Sequence, residues 1–202
     1  MNSQNTLQLK AHFKTYPFRQ PIFRIIRGGL FSLPPQENNW VFIDGQNVHT
    51  AVKQSGWKIN WGLFRSYLAD VHNVTRAVIF LGRIERNAWL YKKLEDAGFV
   101  LVFRKVKVLK DGSVDGGNVD ADISCYAMDH KREYTKAILV ADDGDYAYTL
   151  GCLDSQNKLK LVISSHTIAQ SSDYVKEEIG THRMLSIHSI RHLIEYKQKL
   201  VP

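Results

Sequence analysis

Cysteine is scarce in this sequence, and its scarcity excludes several classes of protein. The chain has 202 residues and two cysteines, Cys125 and Cys152, which lie far apart and form no CxxC motif. A disulfide framework, a thioredoxin-type redox motif and a cysteine-rich zinc site are therefore excluded. A chain of this length can fold without cross-links, so we expect both cysteines to be core thiols of a cytoplasmic protein in a reducing compartment.

Long apolar runs are missing as well. No stretch approaches the roughly 18 consecutive apolar residues that cross a bilayer, and the start of the chain lacks the continuous apolar core of a secretory signal. We therefore expect a soluble protein with no membrane span. The composition, 44% hydrophobic and 23% charged, fits one globular domain of ordinary size.

Negative charge is in the minority. Lys and Arg number 27 against 20 Asp and Glu, which gives a formal net charge of +7. A basic balance favours a polyanionic partner, because phosphates attract a positive surface and release counterions when they bind to it. Nucleic acid is therefore one candidate partner.

The N-terminal segment contains no acid before Glu37, although it holds several basic residues and most of the prolines. We predict that residues 1–38 form a basic N-terminal extension and that residues 39–202 form the folded domain. The mixed apolar and basic stretch from Phe18 to Phe31 fits an RNA-contacting segment, a membrane-surface helix, a transit peptide or a strap packed on the domain.

From residue 40 onward, short β-branched runs alternate with longer amphipathic segments, which is typical of βα units. The predicted fold class is α/β, with a central, mainly parallel sheet of about five strands. The predicted strands are Trp40 to Asp44, Arg76 to Leu81, Phe99 to Val106, Ala137 to Ala141 and Leu159 to Ser164. The predicted helices are Asn60 to Val71, Arg86 to Ala97, Ala121 to His130, Tyr146 to Asp154, Tyr174 to Ile179 and Ile187 to Lys199.

Two of the predicted strands end in acidic residues. The first runs into Asp44 and the fourth into Asp143 and Asp145, while Asp120 and Asp122 open the helix before the fourth strand. The carboxyl ends of parallel strands share one edge of a sheet, and we expect Asp120, as an N-cap, to point toward that edge. Converging carboxylates repel one another unless cations lie among them, and oxygen ligands favour Mg²⁺ or Mn²⁺. The pattern therefore predicts a metal site for phosphoryl chemistry.

Other sites for phosphate or acyl chemistry fit less well. A haloacid-dehalogenase-type phosphatase needs a second Asp two residues after the first, where this chain has Gln46. A dinucleotide fingerprint needs GxGxxG after the first strand, and a serine hydrolase needs a GxSxG elbow; neither is present. A Toprim site remains an alternative, because Asp143-Gly144-Asp145 fits it, although an obvious first-strand Glu is missing.

Three segments resemble the motifs of one family. Residues 41–48, VFIDGQNV, resemble the FIDGxN motif of the NYN family, the PIN-like ribonuclease domains that include the LabA-like proteins. Residues 117–122, GNVDAD, resemble its KGNVDxE/D segment, and residues 138–146, ILVADDGDY, resemble its ILVSGDGDF. The resemblance covers about residues 40 to 180 and keeps the family's order. It implies a PIN-like Rossmannoid three-layer sandwich and a Mg²⁺- or Mn²⁺-dependent endoribonuclease.

The resemblance also implies roles for individual acids. Carried over by position, Asp44, Asp120, Asp143 and Asp145 are the metal-binding and catalytic acids, and Asp122 matches a position where the family often has a further acid. We expect these acids to support attack of water on an RNA phosphodiester, with Asp145 binding a second ion or orienting the water.

Residues near the same edge are candidates for substrate contact. Asn47 lines the site by resemblance. Four basic residues follow or end the second and third strands, where they could hold phosphates: Arg83, Arg86, Lys105 and Lys107. Single-stranded RNA is the expected substrate, because a flexible strand can bend its phosphate toward the acids. The aromatic candidates for base stacking are Trp57, Trp61, Tyr146 and Tyr148.

Two departures from the family pattern concern the site. Gly116 stands where the family commonly has Lys, and Asp142 adds a negative charge where the family has Gly. An RNA-binding or regulatory module that does not cut therefore stays open as a hypothesis. A structure-specific DNA nuclease is a further alternative, because the same acids can act on RNA and on DNA. PIN-like domains often pair, so a homodimer is a further expectation.

Overall fold

The structure, a computed structural model, describes residues 37–110 and 114–197, together with two short strands, β1 (Phe23–Ile26) and β2 (Gly29–Ser32). Contacts between residues divide the chain into two units, Met1–Gln36 and Glu37–Pro202. In the first unit β1 and β2 pair antiparallel, which rules out a continuous helix from Phe18 to Phe31. The remainder of the predicted N-terminal extension up to residue 36 lies outside the described residues.

The second unit is built on a parallel sheet. The strands that follow β2 are β3 (Asn39–Asp44), β4 (Val74–Arg83), β5 (Val100–Lys105), β6 (Lys107–Val108), β7 (Val114–Asp115), β8 (Ala137–Val140), β9 (Leu159–Ser164) and β10 (Met184–Ser186). Six of them form the central sheet in the order β10-β9-β8-β3-β4-β5, and all neighbours pair parallel. The short strands β6 and β7 form a separate antiparallel pair.

Helices cover both faces of this sheet. They are α1 (Gly45–Gln54), α2 (Trp61–His72), α3 (Ala88–Asp96), α4 (Asp120–Asp129), α5 (Ala147–Ser155), α6 (Asp173–Ile179) and α7 (Arg191–Ile194). Helices α4, α5 and α6 pack on the face that carries Phe42 and Leu139. Helices α1, α2, α3 and α7 pack on the face that carries Ile43 and Val140. The result is a three-layer sandwich with two apolar cores.

The central strands are buried on both faces, and their sequences show why. Every residue of β3 and β8 is buried. A strand covered on both sides needs a continuous apolar run rather than alternation, and parallel sheets produce that pattern. Successive residues of each strand then supply the two cores in turn.

The predicted α/β fold class is confirmed, and each predicted strand overlaps a strand of the sheet. Within the three-layer sandwich two elements were missed: helix α1, which follows directly from Asp44, and the three-residue edge strand β10. The short pairs β1–β2 and β6–β7, outside the central sheet, were not predicted either. The last helix is much shorter than predicted. Its first part is a single turn of 3₁₀ helix, Ile187–Ile190, and α7 ends where Glu195 bridges to Ile59.

The cysteine prediction is wrong. Cys125 is exposed and Cys152 is only partly buried. In α4 the buried positions are Ile123 and Ala127, so Cys125, midway between them, faces outward. In the part of the chain that the structure describes, no helix combines the length and the apolar character that a membrane crossing requires.

Candidate active site

Asp44 is the last residue of β3 and the N-cap of α1. Its Oδ1 accepts the backbone N–H of Asn47 at 2.9 Å, and only 7% of the residue is exposed. The next residue, Gly45, lies against β4, where an added Cβ would overlap the Leu81 side chain and sit 3.1 Å from the Phe80 carbonyl oxygen. The first turn of α1 can therefore pack this closely only with glycine at that position, and this packing fixes where Asp44 lies.

Asp143 and Asp145 follow the neighbouring strand, β8. Asp143 begins a single turn of 3₁₀ helix, Gly144–Tyr146, and its Oδ1 accepts the backbone N–H of Asp145 at 3.2 Å. Both acids are exposed. Because β3 and β8 are adjacent and parallel, this turn lies beside Asp44 at the carboxyl edge of the sheet.

Asp120 reaches the same edge from α4. It was expected to be the N-cap, but it is the first residue of the helix, after Val119. Carboxylate oxygens of Asp120, Asp143 and Asp145 all lie within 4.8 Å of one another. Three carboxylates at this spacing offer the all-oxygen ligands that Mg²⁺ and Mn²⁺ prefer, so the donor set fits a hard divalent cation.

Tyr146 links this group to Asp44. Its hydroxyl lies 2.7 Å from Oδ1 of Asp120 and 3.3 Å from Oδ2 of Asp44. Burial, with the charges of both acids, raises the pKa of Tyr146, so the phenol stays protonated. Its single O–H donates to the nearer oxygen, Oδ1 of Asp120. Burial, with the charge of Asp120, also raises the pKa of Asp44. A buried carboxyl with a raised pKa beside other acids is typical of functional sites.

The structure does not bring every predicted residue into this group. Asp122 is paired elsewhere: Nη1 of Arg104, on β5, donates to its Oδ2 at 2.8 Å, so Asp122 faces β5 and lies outside the three-acid group. Asn47 adjoins Asp44 through its backbone N–H, whereas its Oδ1 accepts the Ser165 hydroxyl at 2.7 Å. Its side chain therefore joins α1 to the loop after β9.

The two departures from the family pattern have local explanations. Oδ2 of Asp142 accepts the backbone N–H of His166 at 2.6 Å and lies 2.7 Å from its Nδ1. This extra acid therefore binds the loop after β9. Gly116 has φ +75°, in the left-handed region that favours glycine. Its carbonyl oxygen accepts a hydrogen bond from Nε of Arg104 at 3.0 Å.

A basic cavity lies at the carboxyl ends of β4 and β5, and β4 is the strand next to β3. Its volume is about 530 Å³, and its lining combines three basic residues with one acid, Glu85, and three apolar residues. The basic residues are Arg83, Arg86 and Lys105, and the apolar residues are Ile84, Val106 and Val108. Arg83 and Lys105 are register partners in adjacent strands. Lys107 lies outside the lining, in β6.

Tyr91 stabilises one side of this cavity, although nothing in the sequence marked it as a site residue. The Tyr91 hydroxyl accepts the backbone N–H of Ile84 at 2.9 Å and donates to the Gly82 carbonyl at 3.1 Å. The end of β4 is therefore held in place beside the cavity. Tyr91 lies on α3, and no local motif marks such a contact.

The aromatic candidates differ sharply in exposure. Trp57 and Tyr146 are buried, at 4% and 1% exposure, so neither can stack on a base. Trp61 packs against Phe99 with ring centroids 5.7 Å apart. Tyr148 is 83% exposed and stays available for stacking.

Comparisons with known proteins give one family. The family model described as "NYN domain" matches residues 38–179. No curated protein sequence matches the chain.

Similar solved structures include a protein of unknown function from Vibrio parahaemolyticus. It is 19% identical, with a TM-score of 0.63, and the match covers 78% of this chain and 96% of that one. The likeness shows a shared fold. Zinc-bound 5′-exonuclease of phage T5 is 16% identical, with a TM-score of 0.41 over 63% of this chain and 55% of its own. Flap endonuclease of bacteriophage T5, solved with DNA and metal ions, is 15% identical, with a TM-score of 0.42. That match covers 72% of this chain and 60% of the flap endonuclease chain.

Proposed function

The chain belongs to the NYN domain family, and on this basis we propose that it is a divalent-metal-dependent endoribonuclease that hydrolyses internal phosphodiester bonds of single-stranded RNA. The observation that carries the proposal is the group of Asp120, Asp143 and Asp145, whose carboxylate oxygens lie within 4.8 Å of one another beside the buried Asp44. Such a group is costly without a cation, because like charges at this distance repel.

Asp120, Asp143 and Asp145 would hold Mg²⁺ or Mn²⁺, with Asp44 beside them at the end of β3. A bound divalent ion supplies positive charge that activates water and offsets the charge developing on a phosphodiester. Asp44 and Asp120 are held by hydrogen bonds from Asn47 and Tyr146. In this proposal the exposed Asp145 carboxylate would bind a second ion or orient the attacking water.

The basic cavity supports a nucleic-acid substrate. Arg83, Arg86 and Lys105 present positive charge at the same sheet edge as the acids. Phosphates on one side of the scissile bond can contact these side chains while an unpaired base packs on the apolar residues of the lining. A single strand meets both requirements, because its bases are free to turn away from the backbone.

The test is cleavage of an end-labelled single-stranded RNA with Mn²⁺, Mg²⁺ or EDTA, using native protein, Asp143→Asn and Asp70→Asn. Asp70 is exposed on α2, so Asp70→Asn makes the same chemical change away from the acids. We expect the native protein and Asp70→Asn to cut with metal and not with EDTA, and Asp143→Asn to lose at least about 100-fold in rate.

Other outcomes point to the remaining hypotheses. RNA binding without cleavage under every metal condition would overturn the nuclease proposal and favour a binding module. Cleavage of single-stranded DNA at the rate seen for RNA would overturn the RNA assignment while keeping the metal-dependent chemistry. Equal cleavage by Asp143→Asn would remove the acid group from the mechanism.

A further inference from the structure

The Tyr146 hydroxyl lies between two acids that come from different elements. Its oxygen is 2.7 Å from Oδ1 of Asp120, at the start of α4, and 3.3 Å from Oδ2 of Asp44, at the end of β3. We propose that Tyr146 is a positioning residue, whose hydroxyl orients Asp120 by its hydrogen bond, contacts Asp44, and so sets the affinity of the site for divalent ions. This inference rests on the metal-dependent function proposed above.

The fold fixes where this hydroxyl lies. The Tyr146 residue is 1% exposed, and its ring belongs to the apolar core between the sheet and α4–α6. The residue closes the same turn, Gly144–Tyr146, that carries Asp145 and begins at Asp143. The backbone that presents the two exposed acids therefore also anchors the tyrosine beneath the other two.

The hydrogen bonds leave room for a cation. A carboxylate has about four lone-pair sites, so a bond from Tyr146 occupies only part of the capacity of Asp120. Asp44 is restrained at both oxygens, because Oδ1 accepts the Asn47 N–H and Oδ2 faces the phenol. Outer hydrogen bonds of this kind orient ligand carboxylates, and their loss typically weakens metal binding by about 10–100-fold.

Tyr146→Phe tests the proposal, because it removes one oxygen and leaves the ring in the core. Tyr148→Phe is the matched control: it removes the same atom two residues later, on a side chain that is 83% exposed. The full chain is titrated with Mn²⁺ alone by isothermal calorimetry, without nucleic acid. Thermal unfolding in EDTA is measured on the same samples to report folding separately from ion binding.

We expect the Mn²⁺ dissociation constant of Tyr146→Phe to rise by about 10–100-fold, and that of Tyr148→Phe to stay within about twofold of the native value. Cleavage by Tyr146→Phe should need correspondingly more Mn²⁺ for half-maximal rate. At saturating Mn²⁺ its rate should approach the native rate, because a positioning residue acts through the ligands and does not touch the substrate.

Coupling to Asp120 distinguishes positioning from a general effect on the core. In an Asp120→Asn background, Tyr146→Phe should change the Mn²⁺ dissociation constant much less than it does alone, because the two groups act as one unit. Equal effects in both backgrounds would show that the hydroxyl acts without Asp120.

Three outcomes would overturn the inference. A Tyr146→Phe dissociation constant within about twofold of native, or lower than native, would show that the hydroxyl does not support the ion. Loss of the folded state on removal of this oxygen would assign the hydroxyl to stability. If the native protein bound no Mn²⁺, both the proposed function and this inference would fail. That result is distinguishable from the first two, because they concern only the Tyr146→Phe variant.

Discussion

At the scale of single residues, the acids at the sheet edge differ in how tightly the fold restrains them. Asp44 is nearly enclosed and accepts a backbone N–H, whereas Asp143 and Asp145 are exposed. Burial and the neighbouring charge of Asp120 disfavour the ionised form of Asp44, so its pKa is raised. The ionised Asp44 carboxylate therefore destabilises the folded state of the metal-free protein.

We predict that Asp44→Asn raises the melting temperature of the metal-free protein near neutral pH by about 2–4 °C, the shift that ~1 kcal/mol produces in a chain of this size. The native state holds the Asp44 proton more tightly than the unfolded state. Stability from this group is therefore complete below the ordinary pKa of 3.8 and is lost as pH rises through the raised pKa. Thermal unfolding in EDTA, near neutral pH and near pH ~4, measures the gain, which should shrink at the lower pH.

The exposed Asp70→Asn variant is the control for this experiment and should shift the melting temperature at neither pH. Asn at position 44 still caps α1, because Asn and Asp are equivalent N-cap residues. A melting temperature below that of the native protein near neutral pH would contradict the prediction.

Sequence reasoning located the acids better than their partners. Acids directly after buried strands could be assigned to one sheet edge, and the structure places Asp44, Asp143 and Asp145 there. The contact between Tyr146 and Asp44 joins residues 102 positions apart, and no local pattern encodes it. The pairing of Asp122 with Arg104 was missed for the same reason.

At the scale of secondary structure, long apolar runs were predicted well and short elements were not. Strands β4 and β9 stand out as β-branched runs, whereas β10 has only three residues, all partly buried. Helix α1 begins immediately at Gly45, and its sequence GQNVHTAVKQ has few apolar positions. Contact with β4 specifies this helix, and a contact across the sheet has no signature in the local sequence.

We predict that Gly45→Ala destabilises the protein by about 1–3 kcal/mol, the usual cost of overpacking. The new Cβ would overlap the Leu81 side chain and approach the Phe80 carbonyl oxygen, so the start of α1 must move away from β4. Asp44 lies at that point and would move with it. Urea unfolding measures the loss, and weaker Mn²⁺ binding should accompany it.

Gly62→Ala is the matched control for this change. Gly62 is an exposed residue of α2, where an added Cβ would have only the Asn60 Oδ1 as a neighbour, at 3.4 Å. Alanine is favoured over glycine inside helices by about 0.5–1 kcal/mol, so this variant should be as stable as the native protein or more stable. Similar losses in both variants would refute the role assigned to the contact with β4.

At the scale of the whole molecule, charge is distributed unevenly along the sheet edge. The acids lie at the ends of β3 and β8, and the basic cavity lies at the ends of β4 and β5. The formal charge of +7 adds a general attraction for polyanions. Composition could predict that attraction, but only the strand order shows that the basic cavity adjoins the acids.

We predict that Arg86→Gln combined with Lys105→Gln weakens binding of single-stranded RNA and lowers its dependence on salt. Each phosphate contact to a single strand contributes about 0.7 to the slope of log affinity against log salt concentration, so the slope should fall by ~1.4. Fluorescence anisotropy in EDTA, at several salt concentrations, measures binding without cleavage.

Lys53→Gln combined with Lys58→Gln is the control. It removes the same charge at the end of α1 and in the loop beyond it, away from the carboxyl edge of the sheet. Its salt slope should stay near the native value. If both double variants lowered the slope equally, binding would follow total charge, and the cavity would have no special part in it.

The sheet order also determines when a growing chain could become active. Strand β3 is early in the sequence, yet it pairs on one side with β8, and the acids from β3 and from the turn after β8 meet only when that pairing forms. A ribosome releases a chain from its N-terminus onward, so a nascent chain carries Asp44 long before Asp143 emerges. The group of acids is therefore assembled only late in synthesis, after about three quarters of the chain has been made.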